Sequence, residues 1–221
     1  MSIHESSIIH SSAEIDDNVE IGPFCIIGEK VKIESGSKLL SHVVLKGPTT
    51  VGKNNVFFPY AVIGFEAQHT YYKTEGKLTI GNNNVFREFC TVHLPTKRRG
   101  LTKISNNCLF MTMSHVGHDC IIEDNVTLAN NVNIGGNTYI MNNAQFGLNS
   151  IIHQDQVVGS YSMIAMGTHV GKKVVLKPGY IYLGSPPKGI LKNKIGLKRN
   201  KVSEKKLIKE TKRFEKIKDN V

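Results

Sequence analysis

The segment Ile104-Ser-Asn-Asn-Cys-Leu-Phe110-Met-Thr-Met-Ser-His-Val116-Gly-His-Asp-Cys-Ile-Ile122 puts a bulky apolar residue at every sixth position. The beat continues toward the C-terminus through Leu128, Ile134, Ile140, Phe146, Ile152, Val158, Ile164, Val170, Leu176 and Tyr182. Toward the N-terminus it passes Val92, Phe86 and Ile80. After one slip of phase it runs from Ile63 through Phe57, Val51, Leu45, Leu39, Ile33, Ile27, Ile21, Ile15 and Ile9 to Ile3. A period of six matches neither a helix nor an ordinary alternating strand, and it is the signature of a parallel β-helix. Three hexapeptides close one triangular coil, and successive coils stack ~4.8 Å apart. Residues 18 apart in sequence therefore lie one above the other.

Around that stretch the chain divides in two. Residues 1–185 read as the β-helix, and residues 186–221 read as a basic linker and a C-terminal helix. The beat fails at 64–79 and at 94–103, and both segments read as loops thrown out from the prism, where function concentrates. Glycine and asparagine crowd the corners, as in Val51-Gly-Lys-Asn-Asn, because tight corners need positive φ. After Tyr182 the run Gly-Ser-Pro-Pro-Lys-Gly reads as an end to β structure. Ser203 is a plausible N-cap, and a helix is predicted from there to about Asp219. Leu207, Ile208, Thr211, Phe214 and Ile217 make one apolar stripe on it, for packing on the prism or on a neighbouring subunit.

Composition narrows the function. The net charge of +10 sits almost wholly in residues 186–221, which hold 13 Lys/Arg against 4 Asp/Glu. A basic tail meets phosphates, an acidic protein, nucleic acid or an anionic surface. No recognition motif or interleaved aromatics accompany it, which argues against nucleic acid. No basic region followed by an apolar run opens the chain, and no stretch of ~18 apolar residues spans a membrane, so a cytoplasmic protein without stable membrane insertion is expected. Cys25, Cys90, Cys108 and Cys120 all fall four residues after a beat position, a slot otherwise filled by small side chains. They read as core residues, and no metal-ligand spacing appears.

Counting by 18 assembles a candidate site. His118 lies two residues after Val116, and Gly136 lies two after Ile134, so the glycine stacks over the imidazole. His153 follows Ile152 one coil further on. A neutral imidazole takes a proton from an attacking group near pH 7, and an unshielded backbone N–H holds an oxyanion. No serine or cysteine of nucleophile character accompanies them, which points to direct acyl transfer without a covalent intermediate.

With these residues in place, the chain resembles the UDP-N-acetylglucosamine O-acyltransferases of lipid A synthesis. The resemblance covers about residues 1–200. It rests on Ile21-Gly-Pro-Phe-Cys-Ile-Ile-Gly, Ser41-His-Val-Val, Met113-Ser-His-Val-Gly-His-Asp-Cys, Leu128-Ala-Asn-Asn, Ile152-His-Gln and Gly196-Leu-Lys-Arg. It implies an all-β, left-handed parallel β-helix with a short helical tail, assembled as a homotrimer, although right-handed crossovers are otherwise the rule. It implies an acyl carrier protein thioester as co-substrate, a nucleotide sugar as acceptor, and no bound cofactor or metal. His118 would be the general base, Asp119 its support and Gly136 the oxyanion donor. His93, His115 and His153 would line a cleft between subunits, with Gln154 beside the sugar nucleotide, and Asn193 and Arg199 would contact the nucleotide.

Departures from the family pattern are specific. Gln68 is kept in the 64–79 loop, but His69 and Tyr71 stand where the family has an acidic and a basic sugar contact. Asn137 replaces a histidine. Met166 stands where long-chain members have glycine, which predicts a shorter (3-hydroxy)acyl group. Two alternatives remain open on the sequence. One is an N-acetyl- or N-acyltransferase that uses coenzyme A thioesters on a nucleotide-linked amino sugar for surface polysaccharide. The other is a β-helix scaffold without catalysis, against which the His118/Gly136 column argues.

Overall fold

The structure, a computed structural model, describes residues 2–172 and 174–221. Short parallel strands, mostly of two residues, line up in three sheets that form the faces of a prism. The first sheet has eleven strands among the described residues, the second nine and the third eight. Partners lie 18 residues apart wherever the beat is unbroken, as in Val116 with Ile134 and Ile134 with Ile152. Across the excursions the separation grows, to Phe57 with Phe86 and Val92 with Val116.

From Ile21 onward every beat residue named above is buried, while Ile3 in the first coil is exposed. Phe57, Phe86 and Phe110 stack inside the prism at 4.8 and 4.7 Å with planes 2° apart. Each contributes about 2–3 kcal/mol through burial alone. The four cysteines are buried and free, filling the small-residue slot beside the beat. Burial pushes the thiols of Cys108 and Cys120 up to about 12.

From Phe24 on, most turns carry a left-handed residue three places after the beat. Asn107, Asn125, Asn131, Asn143 and Asn149 supply it with φ between 57° and 60°. Asparagine suits this conformation because its short side chain bonds locally. In the lower coils the same position along the corner between the first and second sheets is filled by Phe24, His42, Tyr60, Phe89 and Met113, before Asn131, Asn149 and Gly167. Their rings stack in a ladder on the outside, with centroids 4.9–5.0 Å apart from Phe24 to Phe89.

The excursions are shorter than the broken beat suggests. Strand Val62–Phe65 runs on past its beat residue, and Lys77–Ile80 and Leu101–Ile104 begin before theirs. Backbone pairing continues there, from Lys77 with Leu101 onward, although the side-chain period has stopped. The segments that leave the prism are 66–76 and 94–100.

After the last coil the chain departs from the sequence reading. The Gly184-Ser-Pro-Pro run is a hairpin turn, not an end to β structure. Tyr180–Gly184 pairs antiparallel with Pro187–Lys192, so no plain linker follows Tyr182. Proline is tolerated because Pro187 opens its strand, where a missing N–H costs least. Helix α1 (Lys194–Arg199) follows, capped by the Asn193 side chain, which accepts from the Gly196 N–H. Helix α2 (Glu204–Lys218) is capped by Ser203, which accepts from the Lys206 N–H. Phe214 is fully buried against Met141 and Val157 of the prism. Ile208 of the same stripe points outward, 53 % exposed. Ser160 donates to Glu210 at 2.7 Å, and Arg213 bridges to Glu123, fixing α2 on the third sheet.

Candidate active site

The corner between the second and third sheets gathers most of the anticipated residues. Strand His115–Val116 ends there and turns through Gly117, His118 and Asp119. Asp119 takes the left-handed corner position at φ 61°, a conformation that aspartate tolerates. That turn swings its carboxylate back beneath His118. The His118 Nδ1–H donates to Asp119 Oδ2 at 2.8 Å. Nδ1 therefore carries the ring proton and Nε2 is left bare. Asp119 is fully buried and also receives the Thr96 hydroxyl at 2.7 Å and the Thr96 N–H at 3.1 Å. Burial pushes its carboxyl up, but the bonds from His118 and Thr96 outweigh burial and hold it below the usual carboxylate range.

Gly136 lies directly over the His118 ring. A Cβ on Gly136 would fall 2.5 Å from both Cε1 and Nε2 of that ring, so only glycine fits. Among the described residues the Gly136 N–H donates to no acceptor. The register sharpens the column: Gln154, 18 residues beyond Gly136, stacks above it, and His153 sits one step toward the sheet. The Nδ1–H of His153 donates to the Gln154 carbonyl at 2.9 Å. Gln154 is exposed.

Asn137 is buried, and its side-chain amide donates to Asp155 at 2.8 Å. Arg98 of the 94–100 excursion reaches the same Asp155 oxygen at 2.8 Å. Arg98 is thus already paired along this edge. Burial raises the Asp155 carboxyl, but Asn137 and Arg98 bring it below its ordinary range.

The remaining imidazoles cluster beside the dyad. His93 donates to the Glu66 carbonyl at 2.7 Å and lies 5.3 Å from the His115 ring. His115 Nδ1 bonds the Thr91 hydroxyl at 2.8 Å. Burial first, then the neighbouring His93 and His118, push His115 down to about 4, so it is neutral at pH 7. Gln68 is exposed on the 66–76 excursion. Its neighbour His69 packs edge-on against His118, with ring centroids 5.2 Å apart. Two backbone N–H groups, of Tyr71 and Tyr72, donate to His69 Nδ1 at 3.0 Å each.

Three anticipated residues are not brought to this corner. Met166 lies on the first-to-second corner, two residues after Ile164 and 66 % exposed. Asn193 lies at the third-to-first corner, where its Nδ2 donates to the Tyr161 carbonyl at 2.9 Å while its oxygen caps α1. Arg199 is exposed at the end of α1. The sequence reading missed Thr96 and Asp155 and did not foresee the pairing of Arg98. Their bonds join segments 18 to 57 residues apart, which no local motif announces.

A stacked-coil prism with an imidazole–carboxylate pair at one edge defines a hexapeptide-repeat transferase. The family model "Bacterial transferase hexapeptide (six repeats)" matches residues 101–136. The acyl-[acyl-carrier-protein]–UDP-N-acetylglucosamine O-acyltransferase of Saccharophagus degradans is 44 % identical over 218 residues, covering 97 % of this chain and 83 % of that one. The enzyme of the same name from a Psychrobacter species is 43 % identical over 122 residues, 54 % of this chain and only 47 % of its own length. Among solved structures, LpxA of Acinetobacter baumannii superposes with a TM-score of 0.88 at 41 % identity, over 91 % of this chain and 78 % of that one. The UDP-N-acetylglucosamine acyltransferase of Francisella novicida gives 0.88 at 35 %, over 95 % and 77 %. The chain belongs to the UDP-N-acetylglucosamine O-acyltransferase family, and its prism is a left-handed parallel β-helix.

Proposed function

We propose that this protein transfers a (3-hydroxy)acyl group from acyl carrier protein to a hydroxyl of UDP-N-acetylglucosamine in the cytoplasm. The observation that carries this reading is the Asp119–His118 pair, with the bare Nε2 held against the Gly136 backbone. In the reaction Nε2 takes the proton of the attacking hydroxyl while that oxygen bonds the thioester carbonyl carbon. The Gly136 N–H receives the developing oxyanion. Asp119 stabilises the imidazolium that forms. Collapse breaks the C–S bond, and His118 returns its proton to the departing sulfur. Gln68, His93, His115, Asn137, His153 and Gln154 line the acceptor cleft. Arg199 meets the nucleotide phosphates, and Asn193 serves it by capping the helix that carries it. The exposed lysines of α2, Lys205, Lys206, Lys209, Lys212 and Lys216, suit the acidic surface of a carrier protein.

The working unit in this reading is a homotrimer. Met166 and His118 stand on opposite edges of the second sheet, roughly 20 Å apart at ~3.3 Å per residue for one hexad. One cleft holds both only when two copies meet edge to edge. The exposed aromatic ladder, on the same edge as Met166, supports such a contact. Met166 then closes the acyl groove and shortens the preferred chain. Met166→Gly should shift preference toward longer acyl groups by about 10-fold, the scale set by a few buried methylenes.

The deciding assay offers purified protein thioesters of acyl carrier protein and of coenzyme A, in several lengths, with UDP-N-acetylglucosamine and amino-sugar nucleotides. Turnover restricted to coenzyme A donors would sink the proposal, and full activity of His118→Ala would sink the mechanism.

A further inference from the structure

The 94–100 excursion carries no beat residue, yet its Thr96 is fully buried. Thr96 grips both oxygens of Asp119: the hydroxyl donates to Oδ2 and the backbone N–H to Oδ1. Oδ2 is also the oxygen that accepts from His118. Thr96 is itself held on every side. Its Oγ1 accepts the Arg98 N–H at 3.2 Å, and its carbonyl accepts the Gly100 N–H at 2.9 Å. Its backbone forms an antiparallel bridge with Thr74 of the other excursion. From the prism side, Thr102 Oγ1 accepts the Asp119 N–H at 2.9 Å.

We propose that Thr96 is a positioning residue: it fixes the plane of the Asp119 carboxylate and, through it, the tautomer and aim of His118. This rests on reading His118 as the general base. A carboxylate turns about a broad torsion, so alone it defines no direction for its partner. Two donors from one rigid residue remove that freedom. The imidazole then keeps its proton on Nδ1 and aims Nε2 at the space beside Gly136. The Thr74 bridge ties the loop that bears Gln68 and His69 to the same residue, so the substrate-facing loop and the base share one anchor.

Thr96→Val tests this, because it keeps the β-branched shape and the N–H and deletes only the hydroxyl. A hydrogen bond to a charged group is worth roughly 1.5–3 kcal/mol, so kcat should fall about 10- to 100-fold with KM nearly unchanged. Thr96→Ser restores the hydroxyl and should recover most of the rate. Nitrogen-15 spectra of the His118 ring read the tautomer without substrate. They should show one tautomer with Nδ1 protonated in the parent and a mixture in Thr96→Val. Thr96→Ala replaces Thr96→Val if the latter does not fold. Unchanged ring spectra, or an unchanged rate, in a folded variant that lacks the hydroxyl would overturn the proposal. Normal turnover by His118→Ala would remove the general-base reading instead, while the ring spectra would still decide whether Thr96 fixes His118.

Discussion

Two edges of one prism meet the same backbone demand in opposite ways. Both turn through a left-handed residue three places after most beat positions. On the second-to-third edge that residue is Asp119, then Asn137, then Asp155. All three are short and polar, and each turns its side chain along the edge to bond a neighbour. On the first-to-second edge it is Phe24, His42, Tyr60, Phe89 and Met113 in the lower coils, before Asn131, Asn149 and Gly167 take it over. Bulky residues resist this conformation, at a cost on the order of 1 kcal/mol each. They persist where exposed rings gain from stacking and from a surface to cover. The residue just before the corner differs as well. It is His118 and Gly136 on the reactive edge, but Pro59, Glu88, Thr112 and Asn130 on the other. At Gly136 this edge gives up side-chain bulk, which leaves the backbone N–H open.

The sharpest way to break this contrast is Gly136→Ala. The new Cβ would lie 2.5 Å from the His118 ring, so the ring must move. A displacement near 1 Å costs on the order of 100-fold in rate. We expect kcat to fall by at least that much, with the unfolding midpoint nearly unchanged because Gly136 is partly exposed. Asn130→Ala, at the matching place on the ladder edge, should change the rate little. Equal losses in the two variants would show that the edges are not specialised.

A second prediction concerns pH. His115 binds a proton below about 4 when folded, whereas an unfolded histidine does so below ~6.5. Between those values the unfolded chain holds the extra proton, so stability falls as pH drops through that window. The loss by pH 4.5 should be about 2–3 kcal/mol. Urea unfolding at pH 7 and pH 4.5 measures it, and His115→Gln should remove most of the difference. An unchanged slope in that variant would place the acid sensitivity elsewhere on the edge.

The reactive edge was partly legible in the sequence, for a physical reason. A β-helix of fixed period converts counting into contact, so Val116 and Ile134 locate His118 and Gly136 by number alone; the register then puts Gln154, not the His153 expected from the sequence, next in the column. The four cysteines followed from the same arithmetic. Where the period stops, so does legibility. The hairpin after Tyr182 lies behind a Gly-Ser-Pro-Pro run whose local preferences end strands. The hold of Thr96 on Asp119 and of Arg98 on Asp155 depends on where an aperiodic loop folds back. Asn193 matched a nucleotide contact by motif, yet its side chain is bonded to Tyr161 and Gly196, a use visible only in three dimensions.

The smallest expected effect bears on what the ladder is for. Tyr60 stacks on Phe89 with planes 7° apart and on His42 at 28°. Tyr60→Asn removes two ring contacts, each worth about 0.5–1.5 kcal/mol at most on an exposed surface. It also puts the residue best suited to φ 64° at that corner, which returns part of the strain. The two terms nearly cancel within one chain, so the unfolding free energy of the dilute protomer should change by less than about 1 kcal/mol. Association between copies has no such compensation, because the lost ring leaves a gap in whatever surface it met. On the homotrimer proposed above, sedimentation over a concentration series should therefore show the assembly dissociating at about 10-fold higher concentration, with activity falling in parallel on dilution. If protomer stability falls instead and association holds, the ladder braces the corner from outside, and the contrast between the edges is one of strain relief rather than of separate surfaces.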